Sequence, residues 1–374
     1  MRHAVQSYAP MKIAFFNPST MAFNVETPQM QPLGGIASCL CYLARALAAR
    51  GHDVTLVSLL PDGTPPVLLD VRHLPVQPVL GDPAGFFRVH NFDAVIAVNY
   101  PDIAPYIKSG SPRTLNIAWP HIFANQPALG LLPQIQHMLD FIVYVSETQR
   151  ADFKLATRGV VIGNAISPGF ENMFSSADDL LAAKQNRAVY ASMPFRGLDE
   201  LVEVMDRTKA KTELEVFSSM QAYQDADDRF AALISAMSRH PHIRYHGGVG
   251  QAELARQFRR CAFLVYPSTF IETYCIVAQE ALAAGLKVIS NTFGALPETT
   301  MGFADLLPVT GNFNRQTHVA GITALLDRNE ARFRQSPQEW AQERFAQVQH
   351  VNRISTWAAR AAQWEALLAP AIRP

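Results

Sequence analysis

Short, almost uncharged runs rich in β-branched and aromatic residues recur through this chain with helical stretches between them. That alternation limits the fold more than any other feature. KIAFF (12–16), VTLVSL (54–59), AVIAV (94–98), TLNIAW (114–119) and FIVYV (141–145) read as parallel strands buried on both faces. Between the first two lies SCLCYLARALAARGH, with Leu40, Leu43 and Leu47 on one helical face. Strand, crossover helix and strand in repetition predict a doubly wound α/β domain. After Val160 the irregular VIGNAISPGFENMF and then SSADDLLAAKQNR interrupt the pattern, and a second series follows. It comprises AVYA (188–191), LEVFS (214–218), IRYHG (243–247), FLVYP (263–267) and KVIS (287–290).

With 374 residues the chain is too long for one ordinary core, so two α/β domains are expected, over 1–165 and 166–350. Residues 351–374 read as a terminal helix. Its apolar stripe (Ile354, Trp357, Ala361, Trp364, Leu368) either closes the second domain or crosses back to the first.

Composition removes several classes. Lys+Arg and Asp+Glu both number 32, so no electrostatic footprint for nucleic acid appears. Cys39, Cys41, Cys261 and Cys275 lie in apolar contexts without a CxxC pair, which suits buried thiols in a reducing compartment. No run of 18 apolar residues is present, so no membrane-spanning segment is expected. MRHAVQSYAP lacks the apolar region of a signal peptide and reads as a loose leader before ordered sequence from Met11. The expectation is a cytoplasmic protein, with peripheral membrane contact left open.

In open α/β sheets ligands sit beyond the carboxyl ends of the strands, so two such domains facing each other would line a cleft with strand-to-helix loops. Two loops are rich in unusual residues. ETPQMQPLGGIAS (26–38) places Gly34 and Gly35 just before a helix, where bare amides and the helix N-terminus suit phosphate oxygens. It is not the GxGxxG of nicotinamide enzymes. YPSTFIETYCIVAQEALAAGLKVISNTFGALPE (266–298) carries Glu272 and Glu280 in an almost uncharged run, neither with a basic residue within four positions. Thr273 is the expected N-cap and Gly285 the expected C′ residue, which would aim the amides of Thr273, Tyr274 and Cys275 at a ligand.

The E-x7-E spacing of Glu272 and Glu280, with P-S-x-x-x-E before it and EALAAGLKVI after it, resembles the GT4-type retaining glycosyltransferases of GT-B fold. GGIASCLCYLARALAARGHDVTLVS is similar to their first βαβ unit. YVSETQRADF and VIGNAISPGF resemble their domain junction, and YASMPFRGLDELVEV the start of their second domain. The likeness runs from residue 12 to about 300. It implies two Rossmann-like domains, a nucleotide-diphosphate sugar as donor, an acceptor hydroxyl on a glycan, lipid-linked or small molecule, and no metal or other cofactor.

It also implies roles for individual residues. Glu280 would accept hydrogen bonds from the ribose hydroxyls. Glu272 would hold the sugar and stabilise positive charge at the anomeric carbon. Arg196 would clamp the diphosphate; the family's second base, five residues earlier, is Ala191 here. His121 would orient the sugar or the acceptor hydroxyl, and Val249 would contact the base through its backbone. Cys275 stands where many relatives have glycine, and nothing adjacent would activate it as a nucleophile. His52 reads as structural and Glu298 as a charge near a helix cap. The leading expectation is retaining hexosyl transfer (EC 2.4) in which the leaving diphosphate takes the acceptor's proton. The alternatives are a nucleotide-sugar epimerase or phosphorylase-like enzyme of the same fold, and a catalytically weak sugar-nucleotide-binding relative.

Overall fold

The computed structural model describes residues 8–311 and 313–372, so most of the leader at residues 1–10 lies outside the described residues. The chain divides into two compact units. One comprises residues 1–27, 36–163 and 357–374, the other residues 28–35 and 164–356.

The first unit holds an eight-stranded sheet in the order β3-β4-β2-β1-β5-β6-β7-β8. Its strands are β1 (Lys12–Phe16), β2 (Asp53–Ser58), β3 (Val67–Leu68), β4 (Val71–Pro75), β5 (Ala94–Val98), β6 (Leu115–Trp119), β7 (Phe141–Tyr144) and β8 (Gly159–Val161). All neighbours pair in parallel except the short β3, antiparallel to β4. β5 and β6 are buried at every position, which is why their sequences carry no alternation. Helix α1 (Gly35–Ala48) provides the crossover from β1 to β2 and buries Leu40, Leu43 and Leu47 as its spacing predicts.

The second unit has six parallel strands in the order β11-β10-β9-β12-β13-β14. They are β9 (Gln185–Ala191), β10 (Glu213–Phe217), β11 (Ile243–Tyr245), β12 (Cys261–Val265), β13 (Lys287–Asn291) and β14 (Asp305–Leu307). Its helices include α2 (Leu198–Arg207), α3 (Ile276–Ala283), α4 (Arg315–Gln335) and α5 (Pro337–Ile354). The chain runs outward in one direction from β9 and in the other from β12, so the loops after these two strands flank the topological switch point.

The terminal stripe is split. α5 ends at Ile354 with Ser355 as its C-cap, and a separate helix α6 (Trp357–Leu368) follows. Ile354 therefore does not share a helix with Trp357, Ala361, Trp364 and Leu368, which are buried. α6 belongs to the first unit, where Trp364 packs edge-on to Trp119 and Glu365 meets Arg50 at 2.5 Å and His52 at 2.8 Å. His52 Nδ1 accepts from Met11 N–H at 3.1 Å, a structural position as its sequence context suggests. All four cysteines are buried free thiols. Among the described residues no helix is long and apolar enough to cross a membrane.

Candidate active site

The two loops at the switch point of the second unit carry Arg196 and Glu272. The first leaves β9 and turns at Met193, whose carbonyl accepts from Tyr190 Oη at 2.7 Å and from Arg196 N–H at 3.1 Å. Gly197 caps α2 with φ +93°, and a Cβ there would lie 1.9 Å from the Pro267 carbonyl oxygen. Only glycine allows both this backbone sign and this approach. The second loop leaves β12 through Tyr266–Ser268 and is held by the turn after β13. Gly294, at φ +59°, lies flat against the Glu272 backbone, and Ala295 N–H donates to Glu272 O at 2.8 Å.

These constraints bring the side chains together. Glu272 is 4 % exposed. Its Oε1 accepts from Arg196 Nη1 at 2.9 Å and from Tyr266 Oη at 2.5 Å. The Arg196 guanidinium lies 4.4 Å from the Phe270 ring centroid and 5.7 Å from that of Phe195. Its buried Nε donates to no described group. Burial alone would weaken the hold of Arg196 on its proton, but the Glu272 carboxylate and neighbouring phenols outweigh it, so the guanidinium stays charged. Burial first, then the Glu272 charge, pushes the Tyr266 phenol well up, so it remains a hydrogen-bond donor. The Cys275 thiol is pushed well up by the same two causes, which removes it as a thiolate nucleophile.

Glu280 occupies a different environment. It is 2 % exposed in the middle of α3, and its Oε1 accepts from Ser167 N–H at 3.2 Å and from Ser167 Oγ. Burial pushes its pKa up to about 7, against the opposing effect of the two Ser167 bonds. Tyr274 Oη donates to Asn164 O at 2.8 Å, so α3, through Glu280, and the residues just before it, through Tyr274, are both tied to the 164–167 segment; Thr299 Oγ1 donates to Tyr274 O.

Two expectations need correction, the cap of the helix after β12 and the bare amide of Gly34. The helix begins at Ile276 with Cys275 as N-cap, not at Thr273, so the first-turn amides are those of Ile276 and Val277. Cys275 sits at φ +73°, a left-handed conformation, which gives a physical reason for glycine at that place. The Gly34 amide is used within the protein, donating to Ala222 O at 2.9 Å, and a Cβ at Gly34 would touch the Tyr223 ring at 2.9 Å. The neighbouring Gly35 opens α1, where a Cβ would meet Ile276 Cδ1 at 3.2 Å.

Val249 is half-buried in the loop after β11, and its apolar side chain packs on the core of the second unit. His121, in the first unit, is buried after β6, with its N–H donating to Asn99 Oδ1 at 2.7 Å and its ring 4.5 Å from that of Trp119. Burial lowers its pKa to about 3, so the imidazole is neutral at ordinary pH. Tyr266, Ser167 and Phe270 were not singled out by sequence. Tyr266 alone had a signal, standing at the end of a strand run six residues before Glu272.

Residues 180–343 match the family model for glycosyl transferases group 1. Comparison with curated proteins gives no match. Among solved structures, a glycosyltransferase from Rickettsia africae superposes with a TM-score of 0.72 at 16% identity, covering 98% of this chain and 100% of that one. Sucrose-phosphate synthase from Thermosynechococcus elongatus gives 0.70 at 16% identity, over 95% and 97% of the two chains. The Anabaena protein HepE, solved with UDP and glucose, gives 0.69 at 14% identity, over 96% and 100%. At these identities the likeness establishes the fold, two Rossmann-like parallel-sheet domains of the GT-B kind. Together with the group 1 domain, it makes this chain a glycosyltransferase.

Proposed function

We propose that the chain transfers a sugar from a nucleotide-diphosphate donor to an acceptor hydroxyl, with retention of configuration and without a metal ion. The observation that carries this reading is the Arg196–Glu272 contact at the switch point, with a buried guanidinium Nε that has no partner among the described residues. A cation with spare donors suits the diphosphate, and a carboxylate beside it suits the sugar that the diphosphate leaves. Arg196 neutralises the departing group, and the amides at the start of α3 supply further donors. Glu272 holds sugar hydroxyls and stabilises positive charge as the glycosidic bond lengthens. The diphosphate oxygen then takes the acceptor's proton, so neutral His121 orients the sugar or acceptor without serving as a strong base.

Glu280 serves the ribose. Gly34, Gly35, Val249, Thr273, Tyr274 and Cys275 shape the surroundings of the nucleotide. UDP and UDP-glucose are the first ligands to try, because the Anabaena neighbour was solved with both.

The test compares Glu272→Gln with Glu280→Gln, each with and without EDTA. Glu272→Gln should lower kcat by about 10²–10³, as expected for loss of a transition-state charge partner, with UDP affinity nearly unchanged. Glu280→Gln should instead weaken UDP binding by roughly tenfold or more, through a lost charged hydrogen bond to ribose of about 1.5–3 kcal/mol. EDTA should change neither enzyme. Normal turnover in Glu272→Gln would sink the mechanism, and complete loss with EDTA restored by manganese would sink its metal-free form.

A further inference from the structure

Behind the Glu272 loop runs a buried polar chain that the transfer reaction as described does not use. Glu200, in the first turn of α2, places Oε2 2.5 Å from His318 Nδ1, in the first turn of α4. His318 Nε2 lies 2.8 Å from Asn291 Nδ2, at the end of β13. The same Nδ2 donates to Ser268 O at 2.6 Å, while Asn291 Oδ1 accepts from Phe293 N–H at 3.0 Å. All four residues are buried.

The bonding rules fix the direction of this chain. Phe293 N–H requires an acceptor, so the amide oxygen of Asn291 faces it and the NH₂ faces both Ser268 and His318. His318 Nε2 must then be bare, and Nδ1–H points at the Glu200 carboxylate, which accepts it. The opposite tautomer would set N–H against NH₂. Asn291 could relieve that only by turning its amide, which gives up Ser268 O and Phe293 N–H together. Ser268 opens the loop that ends at Glu272, and its Oγ donates to Phe270 O at 2.8 Å, below the ring that covers Arg196. The turn that carries Asn291 also supplies Ala295 N–H to Glu272 O.

We propose that His318 is a positioning residue. Held in one tautomer by Glu200, it orients the Asn291 amide and through it the loop that presents Glu272. The catalytic part of this inference rests on the role proposed for Glu272; the positioning of the loop does not.

Glu200→Gln is the discriminating variant, because a glutamine of the same shape can donate or accept: it removes the carboxylate that demands Nδ1–H and leaves only the Asn291 contacts to select the tautomer, without opening a cavity. In ¹⁵N-histidine-labelled wild type, the resonance lost in His318→Phe should have the Nδ1–H pattern; an Nε2–H pattern overturns the inference. In Glu200→Gln, amide exchange in the Ser268–Cys275 segment should rise at least tenfold while β12 and α3 keep their protection. Unchanged exchange there, or equal loss across the whole unit, overturns it, the latter by reducing the chain to plain structural support. With UDP-glucose as probe, kcat should fall about tenfold or more with UDP affinity within twofold. If the loop loosens but Glu272→Gln turns over normally, the role of Glu272 falls and the positioning stands. If Glu272→Gln is inactive while Glu200→Gln is unaffected in loop and rate, the positioning falls and the role of Glu272 stands.

Discussion

Glu280 carries a cost that depends on pH, and Glu280→Gln should remove it. Burial within α3 raises its pKa from 4.5 to about 7, although two bonds from Ser167 favour the anion. Between those values the folded chain holds a proton that the unfolded chain has released. Stability from this group is therefore greatest below pH 4.5, falls as pH rises through 7, and is level above that. At about 1.4 kcal/mol per pKa unit the full swing is roughly 3 kcal/mol, most of it between pH 5 and 8. Glutamine keeps an oxygen for Ser167 and has no such titration. The assay is amide exchange of α3, which reports the opening free energy of the second unit, in both proteins at pH 5 and pH 8 after correction for intrinsic exchange rates. The variant-to-wild-type protection ratio should rise by roughly a hundredfold across that interval. A ratio that does not change with pH would refute the assignment of a buried, proton-sharing carboxyl to this position.

Other positions test the frame around the site. Gly197→Ala forces a side chain into φ +93° and into the Pro267 carbonyl, so it should cost roughly 2–4 kcal/mol in urea denaturation; a loss below about 1 kcal/mol would show that the turn can rearrange freely. In the first unit, burial pushes the Glu365 carboxyl up, but the bonds from Arg50 and His52 outweigh it and hold the group below its usual range. Its contribution is therefore present above about pH 4.5 and lost on acidification. Glu365→Ala should destabilise the first unit by roughly 3 kcal/mol at neutral pH, with a gap in Tm that narrows as the pH falls below 4.5.

What the sequence revealed followed physical periodicity. Parallel strands buried on both faces announce themselves as unbroken apolar runs, and the ten such runs all became strands within a few residues. β3, β8 and β14 give no such run because they are short and sit at sheet edges, and β4, one strand in from the edge, because VRHLP alternates buried and exposed positions. The cap of α3 lies two residues beyond the expected one because Thr273 is a good capping residue, whereas the chain caps with Cys275 in a left-handed conformation that side-chain propensity disfavours. Of the candidate site, Glu272 and Glu280 are legible as charges out of keeping with their surroundings, and Arg196 only through the likeness of YASMPFRGLDELVEV to the family. Their partners are not, since Ser167 is 113 residues from Glu280 and Arg196 is 76 from Glu272. Arg196 and Glu272 meet because the second sheet sets β9 beside β12, and Ser167 reaches Glu280 from the segment that precedes that sheet.

The Arg196–Glu272 pair bears on how a donor would enter. Each charge is largely withdrawn from water, and neither would be tolerable alone, so the resting site keeps them neutral as a pair. A diphosphate competes for the guanidinium, but it need not displace the carboxylate. Arg196 has five N–H donors, one of which meets Glu272 Oε1, while the buried Nε has no described partner. Phe270 stacked on the guanidinium restrains its plane, so new bonds can form within that plane without the cation swinging away from Glu272. On the proposed mechanism the same cation then links both ends of the breaking bond. As negative charge gathers on the departing phosphate, Arg196 is drawn toward it and its hold on Glu272 weakens. The carboxylate is left more strongly negative in the direction of the sugar at the moment positive charge appears there. A lysine at this position could neutralise the phosphate, but a single ammonium centre could not divide its donors between the two anions in a fixed plane, so the coupling belongs to the arginine.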